Sequence, residues 1–244
     1  MKTVYENINE SILNGEKLLA VLIDPDKFFI ETTSRFIEKV NASIATHIFV
    51  GGSTVDDDAT EILVAEIKKH SNLPIVLFPG DVTQITNEAD AILFLSLISG
   101  RNSEYLIGKH VEAVSKLKNT SLEVIPTGYI LIESGKETAV ERVTGTKPML
   151  RDNIQDIVDT AKASELLGMK LVYLEAGSGA KVSVDENIIT RVKENLKIPL
   201  IVGGGIRCKQ QLEDAYKAGA NLVVIGTAFE DDESFFNSIK SSNF

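Results

Sequence analysis

Two glycine-rich segments in the second half of the chain, VGGGIR (202–207) and IGTAF (225–229), each continue directly from an apolar run. Glycine lets a backbone approach an anion and turn its N–H groups toward it, and a following helix start adds a favourable dipole, so the pair points to a phosphate site. A third segment, YLEAGSGA (173–180), sets a single carboxylate, Glu175, inside a Gly/Ser loop. At the end of an apolar run that side chain can turn inward, to accept a proton or bind a substrate hydroxyl, while N–H groups around Gly177, Ser178 and Gly179 add to the phosphate site. Asp24 follows LLAVLI directly. A carboxylate so placed commonly serves a cation, and Mg²⁺ suits one or two carboxylates completed by water and substrate phosphate. Ser53 and Thr54 end the next run and offer hydroxyls to the same ion, while Asp26 reads equally as a metal ligand or as the cap of the first helix.

Other reactive residues carry plainer readings. His47, His70 and His110 have no metal-ligand spacing and suit surface or packing roles. The run Asp56-Asp57-Asp58 falls where a second helix should begin, where acidic side chains favour the helix dipole. Cys208 is the sole cysteine, which excludes a disulfide framework or a cysteine zinc site, and it sits at the opening of a helix.

Eight runs rich in Val, Ile and Leu must position these groups: residues 17–24, 46–52, 73–80, 91–98, 122–132, 170–177, 198–205 and 221–227. They are too continuously apolar to alternate, so they read as strands of a parallel sheet covered on both faces. Helical patterns lie between most of them, with Ser103 and Asp185 placed to cap N-termini and Gly168 and Gly219 to end helices. Eight strand–helix units in 244 residues match an α/β fold, the (β/α)8 TIM barrel, as one domain over 1–244. An open doubly wound sheet is the alternative, but no GxGxxG follows the first strand. Residues 79–90 leave little room between the third and fourth strands and begin with Pro79-Gly80, which predicts a modified third crossover, its helix short or missing. Residues 133–151 read as a long polar loop, a candidate lid.

Against 25 Lys and Arg stand 35 Asp and Glu, and this net charge of -10 argues against nucleic-acid binding and against attraction to anionic lipid. No signal peptide or transmembrane run is visible, so a cytoplasmic, soluble protein is expected.

LIDPDK (22–27), VGGST (50–54), YLEAGSG (173–179), VGGGIR (202–207) and IGTAFE (225–230) resemble, in order and spacing, the geranylgeranylglyceryl phosphate synthase family, including its PcrB-type members. The resemblance covers nearly the whole chain and includes a barrel whose third helix is replaced. It implies a prenyltransferase that joins sn-glycerol 1-phosphate to a polyprenyl diphosphate, geranylgeranyl diphosphate foremost, forming an ether lipid and releasing diphosphate. Carried over by position, Asp24 and Ser53 would hold Mg²⁺, while Tyr173, Leu174, Glu175, Ala176, Gly177, Ser178, Gly179, Gly204, Gly205, Gly226 and Thr227 would bind glycerol phosphate. Glu175 would take the proton of the attacking hydroxyl. Phe94, Leu95, Leu97, Ile98, Tyr105 and Tyr129 are candidates for an apolar prenyl trench opened by the missing helix, with Tyr105 placed to limit chain length. A homo-oligomer with transient membrane contact for its lipid product is also implied. The competing readings are a sugar-phosphate isomerase, an FMN oxidoreductase, or a non-catalytic phosphate sensor on the same barrel.

Overall fold

The computed structural model describes residues 2–53, 55, 58–231 and 234–240. Strands β1 (Leu18–Ile23), β2 (His47–Val50), β3 (Ile75–Leu77), β4 (Ala91–Leu97), β5 (Glu123–Leu131), β6 (Leu171–Glu175), β7 (Leu200–Gly203) and β8 (Leu222–Ile225) pair in parallel in chain order. Strand β8 then pairs with β1 and closes the TIM barrel. The helices are α1 (Val4–Leu13), α2 (Thr33–Asn41), α3 (Ala59–Lys68), α4 (Lys109–Leu117), α5 (Ala139–Thr144), α6 (Ile154–Leu166), α7 (Glu186–Asn195), α8 (Lys209–Ala218), α9 (Thr227–Asp231) and α10 (Phe235–Ser238). No helix among the described residues is long and apolar enough to cross a membrane.

The strand period of two divides each apolar run between two cores. Leu19, Val21 and Ile23 of β1 face the helices, while Leu18 and Ala20 face the barrel interior with Phe49, Leu93 and Tyr173. Helix α1, which the apolar pattern did not predict, seats Val4 and Ile8 in the interior core at the N-terminal ends of the strands. A capping box starts it: Thr3 Oγ1 accepts from the Glu6 N–H at 3.2 Å and Glu6 Oε2 accepts from the Thr3 N–H at 2.9 Å. Glu123, at the start of β5, accepts from the N–H groups of Val4 and Tyr5 and ties the plug to the barrel.

The third crossover holds only a 3₁₀ turn, Val82–Gln84, so the outer faces of β3 and β4 lack the helix that covers the other strands. A π-helical turn, Glu104–Gly108, leads into α4, and Ser96 on β4 donates to its Leu106 carbonyl at 2.9 Å. Ser103 makes no capping bond there; the Asn102 carboxamide accepts from Glu104 N–H instead, at 3.1 Å. Asp185 does cap α7, accepting from Asn187 N–H at 2.9 Å, and Gly168 and Gly219 end α6 and α8 at positive φ.

Asp26 is not the cap of the helix after β1, because the chain does not turn helical until a 3₁₀ segment at Ile30–Thr32 and α2 behind it. Asp58 stands at the start of α3 with φ 67° and makes no side-chain capping bond, while Asp56 and Asp57, like Thr54, lie outside the described residues. The segment 133–151 is more ordered than a loop. Thr138 caps α5 by accepting from Glu141 N–H at 3.2 Å, and Met149 bridges back to Ile132 beside β5. After β8 the chain turns helical at once, at Thr227, earlier than the pattern suggests.

Candidate active site

The strand-end residues converge at the C-terminal mouth of the barrel on one cavity of about 520 Å³. Asp24 lies just past β1, mostly buried, with Oδ1 accepting from the Asp26 N–H at 3.2 Å and Oδ2 2.7 Å from Lys27 Nζ. A Cβ on Gly52 would fall 2.5 Å from Asp24 Oδ1, so the glycine makes room for the carboxylate. Ser53 and Asp26 line the same end of the cavity. Among the described residues no three His, Cys, Asp or Glu side chains gather as a closed metal cage. One inward carboxylate with a neighbouring hydroxyl fits the sparse protein shell of an Mg²⁺ ion that keeps its waters and takes phosphate oxygens from a substrate.

Across the mouth, Glu175 is the last residue of β6 and shares the inward face with Tyr173. It is 5% exposed, and its Oε1 accepts from the Gly177 N–H. Burial raises its pKa above the ordinary carboxylate value, against the opposing pull of that N–H and of the Tyr173 hydroxyl. The Tyr173 hydroxyl sits buried beneath it without a well-formed hydrogen bond. Phe78 stacks on Tyr173 with ring centroids 5.3 Å apart, and Tyr129 meets Tyr173 edge-on at 5.4 Å. These rings form an aromatic floor that keeps water from the carboxylate's underside.

The glycine segments close around this carboxylate. Gly204 (φ 83°) and Gly205 (φ 75°) adopt left-handed backbone. A Cβ on Gly204 would collide with Glu175 Oε1 and come 2.7 Å from the Gly177 nitrogen, so only glycine fits there. Gly226 packs against Leu22, and Thr227 Oγ1 lies 3.3 Å from Ser178 Oγ, joining the loops after β6 and β8. Gly177, Ser178, Gly179, Gly204, Gly205, Gly226 and Thr227 all line the cavity. Leu174 and Ala176 do not: both are buried on the helix-facing side, turned away by the strand alternation. The Gly177 N–H is engaged by Glu175 and the Ala176 N–H by the Gly203 carbonyl at 3.0 Å, so the phosphate donors expected around Gly177 reduce to those beyond it.

From the mouth the cavity continues along the flank that helix 3 would cover. Ile92 and Phe94 on the outer face of β4 form its floor, Val82 and Ile85 one wall, and His110 and Ala113 of α4 the other. Phe94 meets the His110 ring edge-on at 4.4 Å, and burial holds the pKa of His110 below its ordinary value. Lys109 Nζ lies 2.9 Å from Asp81 Oδ2 and spans the gap above. Leu95 and Leu97 line the mouth end with Tyr105, whose hydroxyl donates to the Val143 carbonyl at 3.3 Å. Tyr129 belongs to the aromatic floor under Glu175 more than to the trench, and Ile98 faces the core under the helices, outside the cavity. Reasoning from strand ends missed Phe78, Asp81, Lys109, His110, Lys136 and Arg207, all of which line the cavity. Pro79-Gly80, which marks a strand end, was the available signal for Phe78 and Asp81.

A closed eight-stranded barrel with glycine loops after β6, β7 and β8 around one buried carboxylate, opening into an apolar trench, is a TIM barrel whose mouth has the glycine-loop arrangement suited to a phosphate. The chain belongs to the PcrB family, whose model matches residues 12–243. It is 55% identical over 238 residues to the geranylgeranylglyceryl phosphate synthase of Flavobacterium johnsoniae, covering 98% of both chains. Identity to the enzyme of that name from Zunongwangia profunda is 57% over 233 residues, or 96% of this chain and 99% of that one. The crystal structure of (S)-3-O-geranylgeranylglyceryl phosphate synthase from Thermoplasma acidophilum, in complex with its substrate sn-glycerol-1-phosphate, superposes with a TM-score of 0.92 at 35% identity. That superposition covers 98% of this chain and 96% of the other.

Proposed function

We propose that this protein is a prenyltransferase that joins sn-glycerol 1-phosphate to a polyprenyl diphosphate, with geranylgeranyl diphosphate the expected donor. The observation that carries the reading is the placement of the buried Glu175 between glycine loops suited to a phosphate and the head of an apolar trench. A sugar-phosphate isomerase, a flavin enzyme or a phosphate sensor has use for the loops but none for the trench.

The glycerol phosphate group rests on the backbone of Gly179, Gly204, Gly205, Gly226 and Thr227, which orients the C3 hydroxyl toward Glu175. The hydroxyl oxygen forms a bond to C1 of the prenyl chain as the C1–O bond to diphosphate breaks, and diphosphate leaves with the bonding electrons. Glu175 accepts the hydroxyl proton, a task suited to a carboxylate made more basic by burial. Asp24 and Ser53 would hold Mg²⁺, which when bound neutralises charge on the diphosphate. The prenyl tail lies along Phe94, Ile92 and Ala113. The same reading takes residues 1–244 as one domain of a cytoplasmic homo-oligomer that meets the membrane transiently to deliver its product.

The test incubates the protein with glycerol 1-phosphate, Mg²⁺ and prenyl diphosphates of several lengths and weighs the products. A prenylglyceryl phosphate is expected. Yellow flavin in the purified protein, or isomerised sugar phosphate with no ether product, would overturn the reading.

A further inference from the structure

Among the described residues five Lys and Arg side chains line the cavity, and three of them are held in ion pairs. Lys27 pairs with Asp24 at 2.7 Å, Lys109 with Asp81 at 2.9 Å, and Arg142 with Glu137 at 3.8 Å; Arg207 keeps its charge but turns its guanidinium to the Ala180 carbonyl at 3.5 Å, away from Gly179. The fifth, Lys136, makes no ion pair among the described residues. Its ammonium lies against the Gly/Ser loop after β6, where a Cβ on Gly179 would come within 2.8 Å of Nζ.

The backbone around Lys136 is pinned there. Ser134 is 1% exposed and its hydroxyl reaches the Lys136 carbonyl at 3.5 Å. Thr138 is 2% exposed and packs its methyl group on Gly177, so that any side chain at 177 would collide with it. Gly135 turns with φ 78° over the aliphatic part of Lys181. The segment therefore lies directly on the glycine loop that lines the cavity, with Lys136 Nζ beside Gly179.

The geometry points to Lys136 as a substrate-binding residue for the phosphate of the glycerol phosphate, an assignment that rests on the proposed reading of the site. Backbone N–H groups supply dipoles but no net charge, and a dianionic ligand approaching a protein of net charge -10 lacks a counter-charge without a local cation. Asp24 occupies Lys27 at the other end of the mouth, whereas Lys136 is left to the ligand. The required balance is one charge-assisted hydrogen bond from Nζ to a phosphate oxygen, with no proton moved.

Calorimetric titration of the full chain with glycerol 1-phosphate tests this, using Lys136→Met, Lys136→Arg and, as a control outside the cavity, Lys181→Met. Lys136→Met should raise Kd about tenfold or more, the usual weight of a hydrogen bond to a charged group. Lys136→Arg should recover most of that loss, Lys181→Met should bind as wild type, and the KM for geranylgeranyl diphosphate should stay unchanged throughout. Equal affinity in Lys136→Met overturns the assignment. So does an equal loss in Lys181→Met, which would mean a general field effect, or a loss confined to the prenyl diphosphate. Inorganic phosphate titrated into the same proteins separates the two readings. Lys136-dependent phosphate binding by a protein that forms no ether product supports this assignment and overturns the prenyltransferase; product formation with Lys136→Met equal to wild type does the reverse.

Discussion

Glu175 can act as a base only when ionised, and its burial makes ionisation harder, so its environment sets the acid limit of the reaction. The rate of the chemical step should rise with pH through a midpoint above the ordinary glutamate value of 4.5, then level off. Glu175→Gln keeps the size and the acceptor for Gly177 but removes the basic site; single-turnover rates should fall by about 10²- to 10⁴-fold and lose that pH limb. A variant within about threefold of wild type would assign the proton to another acceptor. Gly204→Val tests the neighbouring backbone. Its Cβ collides with Glu175 Oε1 at a φ of 83°, so glycerol-phosphate affinity and rate should fall together, with a stability loss of about 1–3 kcal/mol in urea unfolding. Asp24, Ser53, Glu175 and the glycines were legible in the sequence because each stands where an apolar run stops, and in a barrel those stops share one end. Leu174 and Ala176 were swept in because a motif is contiguous, whereas a strand turns alternate side chains to opposite faces. Lys136 and Lys109 had no local signal, since only barrel closure and the path of two long connections bring them to the mouth.

The modification of greatest consequence among the elements is the third crossover. A helix there would cover Ile92 and Phe94; a 3₁₀ turn leaves them as the floor of a trench whose far wall is α4. Only about a dozen residues lie between the two runs, and the length alone ruled out a full helix after the Pro79-Gly80 turn. The remaining strands were equally legible, because burial on both faces demands unbroken apolar runs. Helix α1 was not, since its ten residues bury only Val4 and Ile8, too few for a visible stripe, and its clearest mark was the Thr3–Glu6 capping box. The π turn before α4 has no sequence signature either; the bond it accepts from Ser96 is tertiary and comes from β4. The trench itself can be filled. Ala113 is 3% exposed on its α4 wall, so Ala113→Phe should lower kcat/KM for the longest prenyl diphosphates at least about tenfold more than for the shortest, with glycerol-phosphate affinity intact. Product masses across a chain-length series measure this, and a uniform effect at every length would move the tail elsewhere.

The whole barrel is polarised: chemistry gathers at one end, while the other is sealed by α1 over an apolar interior into which a histidine faces. His47, the first residue of β2, is 4% exposed and faces inward beside Phe49, with ring centroids 6.5 Å apart. Thr46 Oγ1 donates to the Leu19 carbonyl at 3.0 Å, and its 2.8 Å contact with His47 Nδ1 therefore assigns the ring proton to Nδ1. Nε2 is left buried with no partner among the described residues, and burial lowers the His47 pKa from 6.5 to about 4. In the unfolded chain the same ring titrates near 6.5, so between these two values the unfolded state binds the extra proton and stability falls as pH falls. Each pH unit between the two values is worth about 1.4 kcal/mol, so the loss reaches about 3 kcal/mol by pH 4. His47→Leu replaces the ring with an apolar side chain that cannot take a charge and removes the orphaned nitrogen. Urea unfolding of both proteins at pH 7, 5.5 and 4 isolates the effect, because every carboxylate that also titrates in this range is common to the two. The variant should match wild type within about 1–2 kcal/mol at pH 7, since a large buried side chain is exchanged for another of similar bulk, and should hold more of its stability on acidification. Parallel loss of stability in the two proteins would mean that His47 is already solvated or paired in the folded barrel, and that acid sensitivity arises among the carboxylates at the mouth.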